Sequence, residues 1–239
     1  EMGVKTLAIV NVVGSSIARE ADHVMYTLAG PEIAVATTKA YSTQLICMYI
    51  LSMYAAQVRG EIEESTLNSM LKEIVLLPEK VASILADKER IQWFANKFAS
   101  AHDVFFIGRG LDYAICQEGS LKMKEVSYVH SEAYAAGELK HGTISLIEDG
   151  ILVVSILTQE ALYEKMISNM VEVKCRGAYL MGLTTAGNYN IEDTVDFAVY
   201  IPKTDEHFTP SLAVVPLQLL GYYVSVSKGL DVDKPRNLA

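Results

Sequence analysis

Short stretches that are apolar at nearly every position alternate along this chain with longer helical patterns, and this alternation narrows the possible folds more than any other feature. A strand that is apolar on both sides must be covered on both. A series of such strands interleaved with helices therefore calls for a parallel sheet between helical layers. Residues 6–12 read as the first strand, ending at Gly14-Ser15-Ser16, and residues 21–26 as a second short one. Thr37-Thr38 is placed to cap a long apolar helix running to about Val58 and stopped by Gly60. Residues 62–100 carry helical periodicity, which Pro78 is expected to break into separate connecting helices. A strand at 104–107 runs into Gly108-Arg109-Gly110, followed by a helix over 112–129. The order continues with strand 151–156, helix 159–175, strands 179–183 and 195–201, and helix 211–227.

A weak internal repeat divides this series. The helix end at 51–60 matches the helix end at 220–229 in Leu, Tyr, basic residue and Gly, and each follows a strand, an Asp-containing connection and a short strand. Only the second copy has a strand, a Gly turn and a helix before that point. The chain is thus read as one complete α/β unit and the tail half of another. Ligands on such sheets sit at the carboxyl ends of the strands. Gly108 to Gly110 occupies one, although Gly-x-Gly alone fits a tight turn equally well.

Composition removes whole classes of partner. The net charge of -9 and pI near 5.1 argue against a nucleic-acid or anionic-membrane surface, both of which need a basic face. Cys47, Cys116 and Cys175 are odd in number and widely spaced, so neither a disulfide framework nor a zinc site is expected, and a reducing cytoplasmic compartment fits. The longest apolar run, 45–56, falls short of the roughly 20 residues a bilayer requires. No signal peptide opens the chain, which starts at Glu1 almost directly into a strand, as a fragment would.

The chemistry concentrates in residues 120–142, where three carboxylates, three lysines and two histidines lie in an otherwise apolar chain. On a helix, Glu118, Lys122 and Glu125 share one face. A solvated ladder of ion pairs is the ordinary account of such spacing. Against it stand the strand end that opens the helix and the small, apolar segment 133–137 before His141 and Gly142. Moving a proton between adjacent carbons of a sugar needs a carboxylate base, an acid/base such as His to open the ring, and a cation for the enediolate oxygen. Glu125, His141 and Lys122 are of those types, and a neutral lysine offers imine formation instead. His130 is expected at the helix end, in a capping role. His23, His102 and His207 are expected to be structural or exposed, and no spacing suggests a metal site.

Three motifs carry a resemblance: Glu118-Gly-Ser-Leu-Lys-Met-Lys-Glu125, Glu132-Ala-Tyr-Ala-Ala-Gly-Glu-Leu-Lys-His-Gly142 and Asp231-Val-Asp-Lys-Pro-Arg-Asn-Leu-Ala239. With Asn11-Val-Val-Gly-Ser-Ser16 and Thr37-Thr-Lys-Ala-Tyr-Ser-Thr-Gln44, the chain resembles the isomerase half of the glutamine:fructose-6-phosphate aminotransferase family over nearly its whole length. The resemblance implies two sugar isomerase (SIS) domains, each a three-layer αβα sandwich with a parallel flavodoxin-like sheet, one complete and one partial. Residues 1–62 would end the first, 63–93 connect, 94–229 form the second and 230–239 an active-site tail.

The same resemblance implies Glu125 as the base that shuttles the proton, Lys122 as its cationic neighbour and His141 as the ring-opening residue, which reaches the adjacent subunit's site. A homodimer follows. Val35 and Thr37 match sugar-contacting positions, and Ala239 a backbone contact; Arg236 has no assigned role. No cofactor is implied. The substrate is a sugar phosphate, fructose 6-phosphate or glucosamine 6-phosphate, with ammonia supplied by a glutaminase domain in the parent chain. The family's phosphate-binding Ser/Thr-rich loop and its imine-forming Lys fall outside these 239 residues, so the chain alone is expected to turn over little or no substrate. A non-catalytic SIS regulator is disfavoured by the Glu125 and His141 pair, and a stand-alone phosphosugar isomerase by the tail.

Overall fold

The computed structural model describes residues 3–238, which divide between Ile74 and Val75 into two units. The sugar contact implied for Ala239 lies outside the described residues. In the first unit, β1 (Leu7–Val10) pairs in parallel with β2 (His23–Tyr26), Leu7 beside His23 and Val10 beside Tyr26. A parallel pair needs a crossover, here the short α1 (Ser16–Glu20), whose Ala18 N–H is accepted by the Ser15 hydroxyl at 3.4 Å. Asn11 ties the strand ends together: its Oδ1 accepts from the Ala29 N–H at 2.9 Å, and its Nδ2 donates to the Gly30 carbonyl at 2.7 Å. The long helix α2 (Lys39–Arg59) stops at Gly60, as read from the sequence, because glycine adopts φ 71° at no side-chain cost.

Pro78 does not break the chain as expected. It lies inside α3 (Glu64–Ala86), a continuous helix of 23 residues. Proline removes one ladder hydrogen bond and crowds the preceding turn, but a helix this long with Leu77 and Ile84 buried on its apolar stripe absorbs the loss. The helix α4 (Lys88–Lys97) follows.

The second unit is a five-stranded, wholly parallel sheet in the order β4-β3-β5-β6-β7. Its strands are β3 (Asp103–Gly108), β4 (His130–Ala135), β5 (Leu152–Leu157), β6 (Tyr179–Thr185) and β7 (Phe197–Ile201). On one face α6 (Tyr163–Lys174) lays Met166, Met170 and Val173 on Phe105, Ile107, Val153 and Leu180. On the other, α4, α5 (Leu111–Lys122) and α7 (Thr209–Ser227) pack together over the sheet. This is the three-layer αβα arrangement, complete in the second unit and partial in the first. The segment Glu206–Ser227 is apolar enough to cross a membrane, yet 72% of that window is buried inside the unit, which marks a core helix.

Glycine sets how closely these layers meet. A Cβ on Gly108 would stand 2.7 Å from the backbone carbon of Asp112, so only glycine lets α5 start directly from the end of β3. A Cβ on Gly119 would meet Leu217 Cδ1 at 2.6 Å, which places α7 tightly against the middle of α5.

The sequence reading of 112–129 as one helix and of His130 as its cap is corrected. The α-helix ends at Lys122, residues 123–127 form a π-helical turn, and His130 opens β4 opposite Asp103, where its Nδ1 lies 2.6 Å from Asp103 Oδ1. β4 is an edge strand of half-buried, small and polar residues, so it lacks the apolar run that announces the other strands.

Candidate active site

The crevice where the strand order reverses, at the carboxyl ends of β3 and β5, is filled by the chain itself. Gln159 Nε2 donates to the Arg109 carbonyl at 2.9 Å, and Arg109 donates to Asn169 Oδ1 through Nε at 3.0 Å and an η nitrogen at 2.8 Å. The buried Asp112 carboxylate accepts from the Thr158 N–H at 2.8 Å and the Thr158 hydroxyl at 2.6 Å. Gly108 to Gly110 thus serves the tight turn. A cavity of about 490 Å³ opens beside it, but Glu160, Glu164 and Glu206 face Lys203 there, a charge balance that opposes a sugar phosphate.

The reactive cluster lies at the other end of α5. Lys122 sits on the helix face that carries Ile115 and Gly119, and only 4% of its side chain is exposed. A buried ammonium requires partners. Its Nζ donates to Glu125 Oε2, three residues on, and stands 3.6 Å from Glu118 Oε1, four residues back. The latter distance is an ion pair too long for a hydrogen bond, and Glu118 Oε1 is buried with no hydrogen-bond partner among the described residues. Lys122 therefore joins two carboxylates of unequal exposure, 11% of the side chain for Glu118 and 22% for Glu125.

Glu125 lies within the π-helical turn, three residues beyond Lys122, a spacing at which helical side chains meet. The turn is pinned by two serines. Ser127 Oγ donates to the Met123 carbonyl at 2.6 Å, and Ser225 Oγ, from α7, donates to the Val126 carbonyl at 2.7 Å. α7 also passes close at Gly221, where a Cβ would lie 3.6 Å from the Lys122 backbone. Insertions of this kind recur at functional sites. Tyr128 then closes the turn in the left-handed region, φ 59°, with its N–H on the Lys124 carbonyl at 3.2 Å.

Burial pushes the Glu118 carboxyl above the usual range; the nearby Lys122 ammonium opposes the rise and the Glu125 carboxylate adds to it. Asp112 is raised in the same sense, by burial against its hydrogen bonds from Thr158 and Gln159. A carboxyl raised on folding holds its proton in the folded chain at pH values where the unfolded chain has released it. Stability is therefore expected to fall as pH climbs from about 4.5, the unperturbed glutamate value, through the raised value. Urea midpoints across that window should show a shallower fall in Glu118→Gln, with the share due to Asp112 remaining. Identical slopes in the two proteins would exclude Glu118 as a source.

Of the residues expected from the sequence, Lys122 and Glu125 are in contact, with Glu118 beside them. His141 is exposed at the end of a 3₁₀ turn, Leu139–His141, and is not joined to them. In the first unit Val35 and Thr37 are both exposed on the connection before α2, flanking the buried Ala36. His23, His102 and His207 are exposed as expected. The burial of Glu118 was only half legible, since spacing put it on the face but not out of solvent. The duties of Ser225 and Tyr128 were not legible, because their partners lie about a hundred residues away in the chain.

The chain matches the SIS domain model over residues 1–54 and 97–228. It is 55% identical over 237 residues to the protein named glutamine–fructose-6-phosphate aminotransferase (isomerizing) of Caldanaerobacter subterraneus subsp. tengcongensis, covering 99% of this chain and 39% of that protein. The protein of the same name from Clostridium tetani is 54% identical, with the same coverage. The chain thus spans about two fifths of the length of these curated relatives. Among solved structures, the C-terminal domain of glucosamine-fructose-6-phosphate aminotransferase from Francisella tularensis superposes with a TM-score of 0.91 at 34% identity, covering 97% of this chain and 66% of that one.

Proposed function

Because this chain belongs to the SIS domain family, we propose that it is the isomerase region of an enzyme that makes glucosamine 6-phosphate from fructose 6-phosphate and glutamine. The observation that carries the reading is the Glu118-Lys122-Glu125 cluster on a π-helical turn of the second unit. The names of its relatives agree with it. In this reading residues 1–62 are the C-terminal part of a first SIS copy, 63–93 connect, 94–229 form a second copy and 230–239 are an active-site tail.

The chemistry balances with these groups. Glutamine hydrolysis in the parent chain releases ammonia, which condenses with the C2 carbonyl of the open sugar and expels water. Glu125 then takes the proton from C1, the electron pair moving to form the enolamine, and delivers a proton to C2. The imine nitrogen takes up a proton as the enolamine forms, and loss of the O1 proton restores that balance and leaves the C1 aldehyde of glucosamine 6-phosphate. Lys122 supplies positive charge beside the base, and its contact with Glu125 orients the carboxylate. His141 opens the sugar ring in the adjacent subunit's site, and its exposure on a surface turn suits that reach. Val35 and Thr37 contact the sugar, as does the backbone of Ala239. The enzyme works as a homodimer in the cytoplasm.

The full-length protein supplied with fructose 6-phosphate and glutamine should yield glucosamine 6-phosphate and glutamate in equal amounts, read by mass spectrometry. Binding of the sugar phosphate with no product formed would replace this reading by that of a sensor.

A further inference from the structure

Residues 230–238, which follow α7, are fastened to the π-helical turn at one point. Gly229, at φ 69°, ends the helix with its N–H on the Val226 carbonyl at 2.9 Å, and the Leu230 N–H reaches the Ser225 carbonyl at 3.1 Å. Asp231 Oδ1 accepts from the N–H groups of Asp233 at 3.0 Å and Lys234 at 3.2 Å, which folds the segment on itself. After the buried Pro235, Arg236 donates its backbone N–H to the Tyr128 hydroxyl at 2.7 Å, and its guanidinium carbon stands 4.3 Å from the centre of the same ring. One tyrosine thus receives two different contacts from one residue more than a hundred positions away.

Tyr128 is the residue that terminates the turn carrying Glu125. A bulky side chain at φ 59° is unfavourable by itself, so the surrounding contacts hold it there. Glycine or asparagine would terminate the turn more readily. Neither would offer the ring and hydroxyl that Arg236 uses.

We propose that Tyr128 and Arg236 are positioning residues, a latch that makes docking of segment 230–238 and the geometry of the Glu125 turn a single equilibrium. The proposal rests on the isomerase reading above for its catalytic consequence, but not for the latch itself. Tyr128→Phe removes the hydrogen bond and keeps the ring. Arg236→Ala removes the guanidinium and keeps the backbone N–H. Tyr128→Gly removes both contacts while favouring the same backbone conformation.

The test is hydrogen exchange of the 230–238 amides together with steady-state kinetics, all in the full-length protein. Tyr128→Phe should speed exchange at the Arg236 amide by about tenfold and lower glucosamine 6-phosphate formation by a comparable factor, with glutamine hydrolysis unchanged. Arg236→Ala should give a smaller loss, largely restored by Arg236→Lys. Adding Arg236→Ala to Tyr128→Gly should change nothing further, because the contact is already gone. Unchanged exchange in Tyr128→Gly, or fully additive effects in the pair, overturns the latch. Faster exchange with unaltered sugar turnover overturns the coupling. A wild-type protein without isomerase activity would refute the functional reading instead, and exchange would still decide the latch.

Discussion

Glu125→Gln in the full-length protein is expected to lower glucosamine 6-phosphate formation by roughly 10³-fold, within the range that a general base contributes. Glutamine hydrolysis should continue at its wild-type rate. The substitution is nearly isosteric, so the π-helical turn and its serine contacts have no reason to move. The amide still accepts a hydrogen bond from Lys122 but cannot take the C1 proton. Half of an ion pair disappears with it, and removing one partner of a buried pair costs roughly 3–5 kcal/mol. That figure is an upper bound here, because Glu125 is 22% exposed and Glu118 stays within 3.6 Å of the ammonium. A thermal melt alongside the assay separates loss of chemistry from loss of fold. Synthesis at an undiminished rate in a folded variant would remove Glu125 from the mechanism.

The second large effect is a recovery. His141→Ala and Glu125→Gln should each be inactive in sugar conversion as homodimers. If His141 serves the adjacent subunit's site, a mixed dimer assembles one site from the intact His141 of one chain and the intact Glu125 of the other. Unfolding the two variants together and refolding them should restore activity to roughly a quarter of the wild-type value, since half of the dimers are mixed and half of their sites are whole. Failure to recover, with dimers shown by light scattering, would place His141 and Glu125 in the same subunit's site. The two results are independent, because the first concerns a contact within one turn and the second the assembly.

Much of the fold could be read from burial alone. Strands covered on both sides, such as 104–107 and 152–157, announce themselves by runs apolar at nearly every position. β4 did not, because an edge strand needs no such run and His130-Ser-Glu-Ala-Tyr-Ala135 reads equally as a loop. Pro78 misled because the rule for proline is local, whereas the stripe that holds α3 together is not. At the site, the spacing of Glu118, Lys122 and Glu125 on one face was legible, since it depends only on helical periodicity. The break into a π turn after Lys122 was not. It depends on Ser225 and Gly221, which lie on α7 about a hundred residues later and carry no mark of that duty in the sequence.

That distance has a consequence for synthesis of the protein. α7 is the last helix of the second unit to leave the ribosome, and it packs on both α4 and α5 while Ser225 holds the Val126 carbonyl. Domains fold as units once their full length has emerged. Glu125 is translated long before α7, yet the turn that carries it gains its Ser225 contact only when α7 docks. If Glu125 is the base proposed above, a nascent chain that has paired its early strands holds that base on a turn not yet fastened. The turn is then completed with the unit rather than with the appearance of its charged residues.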